Sequence, residues 1–417
     1  MSESLNSQYN EIHQLVAKGK YWDAGHLVKS ASLNGQMTDD EISSIIVALA
    51  HSGEEFKLRE TIEKKIEYIA SKEEIVFKII NAAKWSHNSL DAVRYLVDLI
   101  FASGQKVSNR ISKKIAVQEV RYGGDRLNKL NLSEADYKEI CEYKQYVADE
   151  PAEYHIHKAQ DLLNSSRGVD FSGLGSMIMH AIAERKPFSF LRMGDGEGRF
   201  VSDISKYPIH EAESCEIAKR IWFWNSRVFP SKLFFDQLRA SYISADVVGV
   251  NPPFRIELEL RNLPIGYIGV TMGNKFIIDN LNQSNSRLTE NWALQLLEKK
   301  GFFADLCQTA PDITLICPHA SIKSFFLNKY NKSVDHIQIP AEDNPYEKIS
   351  SINDPHYPDV FNRTIERIKE SRSGVYLIAG GVYAKIYCEA ARRSGAVAID
   401  VGSLMDAWLN INSRPAE

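Results

Sequence analysis

From about residue 185 to the C-terminus the chain carries short runs that are apolar at consecutive positions, such as Asp246-Val-Val-Gly-Val250 and Val375-Tyr-Leu-Ile-Ala379. A strand apolar on both faces must lie inside a sheet covered on both sides, which is the usual setting of a parallel strand. The pattern predicts strands at Phe188–Arg192, Asp246–Val250, Gly266–Val270, Ile313–Cys317, His336–Ile339, Val375–Ala379 and Ala396–Asp400. Between them lie helical spacings at Glu213–Asn225, Ser231–Ser241, Glu290–Lys299, Ser321–Tyr330, Tyr357–Glu370 and Tyr383–Arg393. Strands alternating with helices build a Rossmann-like α/β domain, a mostly parallel sheet with helices on both faces.

The first half has a different rhythm. Ile12, Leu15 and Val16 share one helical face, and Ala24, Leu27 and Val28 share another. Thr38 with Glu41 is a capping-box pattern, followed by Ile42, Ile45, Ile46 and Leu49 at helical spacing, and Ser133 with Asp136 opens a later helix. Trp22 and Trp85 read as core anchors. Short polar breaks make antiparallel helical hairpins the economical packing, so an all-α, solenoid-like domain is expected over residues 1–150. Helices at Tyr154–Asn164 and Leu174–Glu184 form a linker over 151–186, and the α/β domain occupies 187–417.

The formal net charge is −4, which argues against a broad basic surface for nucleic acid. No apolar run approaches the roughly 18 residues of a membrane span, and the opening MSESLNSQYNEIHQ lacks a leader's apolar core. The cysteines, Cys141, Cys215, Cys307, Cys317 and Cys388, are odd in number and scattered, as buried thiols in a reducing compartment would be. The expectation is a cytoplasmic protein.

In open parallel sheets, ligands bind outside the carboxyl ends of the strands. The first such loop is Met193-Gly-Asp-Gly-Glu-Gly-Arg199. If the loop is extended, Asp195 and Glu197 project to the same side and can share a hard cation, Mn²⁺ or Mg²⁺. Gly194, Gly196 and Gly198 would then let the backbone approach a diphosphate. An acidic glycine turn that only joins strand to helix fits the spacing equally well. The glycines run G-x-G-x-G with no following G-K-[ST], so the dinucleotide fingerprint and the P-loop both fail. A second loop, Gly380-Gly381 with Lys385 one turn later, offers free N–H groups and a cation to a phosphate or sugar hydroxyl, or is simply a tight connection. Asp400, at the end of the last strand, is a candidate catalytic base or a helix cap. Asn251, His319 and the pair Glu342-Asp343 also fall in strand-end loops, whereas Asp406 reads as supporting.

Phe190-Leu-Arg-Met-Gly-Asp-Gly-Glu197 resembles the R-x-G-D-G-E signature of the GT-D type glycosyltransferases, first known as a domain of unknown function. Leu377-Ile-Ala-Gly-Gly381 and Ala396-Val-Ala-Ile-Asp-Val-Gly402 resemble the glycine loop and terminal D-[IVL]-G strand of that family. The similarity covers about 185–410 and leaves the helical half outside it. It implies a nucleotide-sugar donor such as a UDP-sugar, and a divalent cation at the D-x-E pair Asp195 and Glu197, with Arg192 as the preceding arginine. It further implies transfer to a hydroxyl of a glycan, glycoprotein or lipid-linked acceptor, as in polysaccharide biosynthesis. The helical half would serve a protein partner or self-association. The rival readings are a nicotinamide-dependent oxidoreductase on the same fold and a helical-repeat adaptor with a non-catalytic nucleotide-binding domain.

Overall fold

The computed structural model describes residues 2–17, 21–30, 38–52, 54–72, 74–76, 79–80, 90–103, 107–121, 126–260, 264–341, 352, 354–371 and 373–411. Trp85 and the pair Glu342-Asp343 lie outside them, and of Trp22 only the helical backbone is described. The chain divides into two compact units, residues 1–149 with 258–264, and residues 150–257 with 265–417.

The first unit is helical in its described residues. Its apolar stripes meet in one core that includes Ile12, Ala24, Val28, Ile45, Ile46, Leu49 and Leu58. The expected capping box forms at Thr38–Glu41, and Ser133 caps the helix it was expected to open. The Thr38 backbone N–H donates to Glu41 at 2.8 Å while the Glu41 N–H donates to the Thr38 hydroxyl at 3.3 Å. Likewise the Asp136 N–H donates to the Ser133 hydroxyl, which donates to the Asp136 carboxylate.

The second unit is built on seven parallel strands, β1 (Phe188–Arg192), β2 (Val247–Val250), β3 (Arg287–Glu290), β4 (Ile313–Cys317), β5 (Asp335–Gln338), β6 (Val375–Ile378) and β7 (Val397–Asp400), in the order β3-β2-β1-β7-β6-β4-β5. Alternate strand residues feed opposite faces, because successive side chains in a strand point to opposite sides. Leu191, Val248, Ile316, Ile378 and Ala398 join one core with the helices Lys232–Ser244 and Tyr383–Arg393. Phe190, Val247, Leu315, Leu377 and Ile399 join the other, beneath the helices Phe171–Ala183, Phe302–Thr309 and Ile322–Tyr330. The helix Phe171–Ala183, in the stretch read as a linker, therefore packs onto the sheet.

One expected strand is corrected. Gly266–Val270 lies within the helix Pro264–Asn280, and the remaining strand is the more polar Arg287-Leu-Thr-Glu290. A short apolar run does not distinguish a buried strand from a buried helix. Here the run is apolar all round because Tyr267, Ile268, Val270 and Met272 are all buried.

Two buried histidines are expected to make this unit acid-sensitive. Burial lowers His155 from 6.5 to about 4 and His356 to about 3. His356 stacks 3.9 Å from the Tyr383 ring and bonds the Tyr387 hydroxyl at 2.9 Å. Both stay neutral in the fold but take up a proton once unfolded. Their stabilisation is therefore complete above about pH 6.5 and is lost as pH falls through the window down to the folded values, reaching about 2 kcal/mol each at pH 5. Thermal midpoints measured from pH 7.5 to 5 should fall along this curve, and His356→Phe should reduce the slope. A midpoint indifferent to pH across that window would contradict the assignment.

Candidate active site at the sheet reversal

The chain builds outward from β1 to β2 and β3, crosses to the far side, and returns through β6 to place β7 beside β1. The β1–β7 pair is thus where the strand order reverses, and a crevice opens outside such carboxyl ends. The loop after β1 sits there.

Its backbone is clamped from several sides. The Met193 N–H donates to the Gly249 carbonyl at 2.7 Å, the Tyr242 hydroxyl to the Arg192 carbonyl at 2.9 Å, and the Asn291 amide to the Met193 carbonyl at 3.0 Å. Gly194 lies over the Glu197 carboxylate and Gly196 against the Trp222 ring. Gly198 meets the helix Pro264–Asn280 backbone to backbone: a Cβ there would lie 1.9 Å from the Gly269 carbonyl oxygen and 2.5 Å from the Gly273 nitrogen. Only glycine allows that approach. The G-x-x-x-G spacing of Gly269 and Gly273 is what makes the misread segment a docking face for the loop.

The loop is not extended as the sequence suggested. Asp195 to Glu197 form a turn, Glu197 has helical angles (φ −69°, ψ −32°), and a short helix follows at Gly198–Val201. The two carboxylates consequently have different partners. Glu197 is buried, with the Lys385 ammonium 2.5 Å away. Asp195 keeps a side chain 35% exposed and faces the Arg255 guanidinium at 3.5 Å.

Lys385 is the centre of a buried ion cluster. Its ammonium also lies 3.1 Å from Asp400 and donates to the Gly381 carbonyl at 3.1 Å. Burial alone pulls its pKa down, but Asp400 and Glu197 reverse that and raise it, so Lys385 stays charged. Asp400, 1% exposed, also accepts from the Arg192 backbone N–H at 3.2 Å, with the Arg192 guanidinium 3.9 Å away. Asp400 thus holds Lys385 and Arg192 in place. Gly402 has φ +47°, and a Cβ there would overlap the Arg192 guanidinium, 1.5 Å from Nη2. Gly381, at φ +53°, makes the turn that brings Lys385 back over the strand ends.

The other expected residues lie apart from this cluster. Asn251 is fully buried and spent on structure: its N–H donates to Asn274, its carbonyl accepts from Asn274, and its side-chain oxygen accepts from Asn291 at 2.8 Å. It braces the end of β2 beneath the loop. His319 is buried after β4 with Nε2 2.6 Å from the Asp406 carboxylate. Arg255, Asn274, Asn291, Trp222 and Tyr242 were not singled out from the sequence, because each is contributed by an element distant in the chain and has no local motif.

As a divalent-cation site, the geometry fits in part. Glu197 and Asp400 already share the Lys385 ammonium, with the Arg192 guanidinium beside Asp400, and among the described residues no group of three or more His, Cys, Asp or Glu side chains gathers to hold a metal. Asp195 is the outward carboxylate. Magnesium commonly takes one or two carboxylates and completes its shell with substrate phosphates and water, and Asp195 suits that mode.

Fold and site together define a doubly wound parallel α/β domain with a charged, glycine-rich cluster of loops at its reversal point. The sequence model of the GT-D fold-like domain matches residues 170–408. That is more than half of the chain, which belongs to this family of glycosyltransferase-type fold. No curated protein and no solved structure matches the chain.

Proposed function

We propose that the protein is a glycosyltransferase that takes a sugar from a nucleotide-sugar donor, most simply a UDP-sugar, and passes it to a hydroxyl of a glycan or glycoconjugate. The observation that carries this reading is the arrangement at the β1–β7 crevice of a GT-D family fold. Asp195 is turned outward beside Arg255, and a buried Lys385–Glu197–Asp400 cluster fixes the loop from beneath.

In this reading Arg192 and Arg255 attract the donor's diphosphate near the start of the helix Tyr383–Arg393, where an anion is favoured. Asp195 would hold Mn²⁺ or Mg²⁺ together with phosphate oxygens, and such a cation supplies charge neutralisation for a departing diphosphate. Lys385, Glu197 and Asp400 act as positioning groups that keep Arg192 and the loop fixed. A charged frame that does not reorganise is what lowers a barrier electrostatically. The helical unit is proposed as the surface for a protein partner or for self-association.

A ligand that binds only the folded state stabilises it by mass action. With Mn²⁺ present, UDP or another nucleoside diphosphate should therefore raise the thermal midpoint, by about 2.7 kcal/mol of stability at a hundredfold excess over Kd. NAD and NADP should leave it unchanged. Stabilisation by a nicotinamide cofactor and by no nucleoside diphosphate would overturn the reading.

A further inference from the structure

In a chain of net charge −4, the stretch from Ile217 to Phe235 contains four cations, Lys219, Arg220, Arg227 and Lys232, and no carboxylate. It also carries six aromatic rings, Trp222, Phe223, Trp224, Phe229, Phe234 and Phe235. Four of the ten large apolar side chains that stand exposed among the described residues fall inside it: Trp224 at 50%, Val228 at 52%, Phe229 at 37% and Leu233 at 66%. Scattered exposed apolar residues are ordinary, but a cluster of this kind marks a surface that meets something.

The cluster stands on a firm base. Phe223 packs against Phe229, Phe234 and Tyr383 with ring centres 5.4 to 5.8 Å apart. The Arg227 N–H donates to the Tyr357 carbonyl at 2.9 Å, and the Trp224 indole donates to the Ala341 carbonyl at 3.1 Å. The outward rings of Trp224 and Phe229 are therefore held in place. The base also borders the candidate site. Trp222 fills the space over Gly196, and Ser226 bonds the hydroxyl of Tyr383, two residues before Lys385.

We propose that Trp224, Val228, Phe229 and Leu233, flanked by Lys219, Arg220, Arg227 and Lys232, dock the enzyme on an anionic lipid bilayer, so that the crevice faces an acceptor carried in that bilayer. A tryptophan and aliphatic tips ringed by basic side chains match the interfacial layer of a membrane, where apolar groups enter the headgroup boundary and cations meet lipid phosphates. Lys219, Lys232 and Arg227 have carboxylate partners in Glu216, Asp236 and Asp359. These pairs are solvent-exposed and weak, so their cations exchange readily toward lipid phosphate. The bilayer docking stands on the surface alone. The lipid-carried acceptor rests on the glycosyltransferase reading above.

The test is co-sedimentation of the full chain with phosphatidylcholine vesicles, with and without phosphatidylglycerol. Binding is expected only to the anionic vesicles and should weaken as salt is raised. Trp224→Ala with Leu233→Ser, and separately Arg220→Glu with Lys232→Glu, should each lower partitioning at least about tenfold, with unchanged thermal midpoints. Absence of binding to anionic vesicles, or full binding by both double variants, would overturn the proposal. So would light scattering that shows self-association lost in the same variants without vesicle binding, which would make the patch a contact between copies. Nucleoside-diphosphate stabilisation, measured without vesicles, reports on the donor site separately. If it fails while vesicle binding holds, the acceptor class falls and the docking surface remains.

Discussion

Replacing Asp195 with asparagine is expected to slow sugar transfer at least about a hundredfold, the scale seen when electrostatic stabilisation of a developing charge is removed. The unfolding midpoint should fall less than for Glu197→Gln, because the Asp195 carboxylate is part-exposed and 3.5 Å from Arg255. Glu197→Gln should behave differently, losing activity and stability together, because that carboxylate is buried on Lys385. Chelation with EDTA should imitate Asp195→Asn, and added Mn²⁺ should restore the chelated wild type but not the variant. Near-normal turnover by Asp195→Asn would move the chemistry away from this carboxylate. An EDTA-insensitive wild type would leave Asp195 acting by charge alone.

Lys385→Met is expected to cost about 3–5 kcal/mol of stability, the range for removing one partner of a buried ion pair. Methionine keeps much of the stem's volume, so the loss isolates the charge. Glu197 and Asp400 would then be two buried carboxylates close to one vanished ammonium. Denaturant midpoints give the size. The exposed Lys219→Met, whose partner Glu216 is also exposed, should cost less than about 1 kcal/mol. Adding Glu197→Gln to Lys385→Met should recover part of the loss, since it removes one of the stranded charges. A Lys385→Met protein as stable as wild type would mean that the cluster does not hold the site together.

Much of the architecture was legible before the structure. Runs such as Val375 to Ile378, apolar at every position, had to be buried, and they proved to be strands whose residues alternate between the two cores. Thr38–Glu41 and Ser133–Asp136 mark helix starts through bonds made within one turn, so local sequence suffices. The glycine loop after β1 was also visible, because its residues are contiguous.

What the sequence by itself determined was therefore the period of each segment, the faces to be buried and the place of the charged loop. Only the tertiary structure decided that Gly266–Val270 is helix, that Arg287–Glu290 is the β3 edge strand, and that Asp195 and Glu197 face different cations. The reason is physical. An apolar run states that it must be buried, but not in which backbone form, and Gly269 becomes intelligible only when Gly198 lies against it. Glu197 finds Lys385 because the chain returns through β6 to set β7 beside β1. That pairing depends on the order of strands in the sheet, which no window of neighbouring residues records.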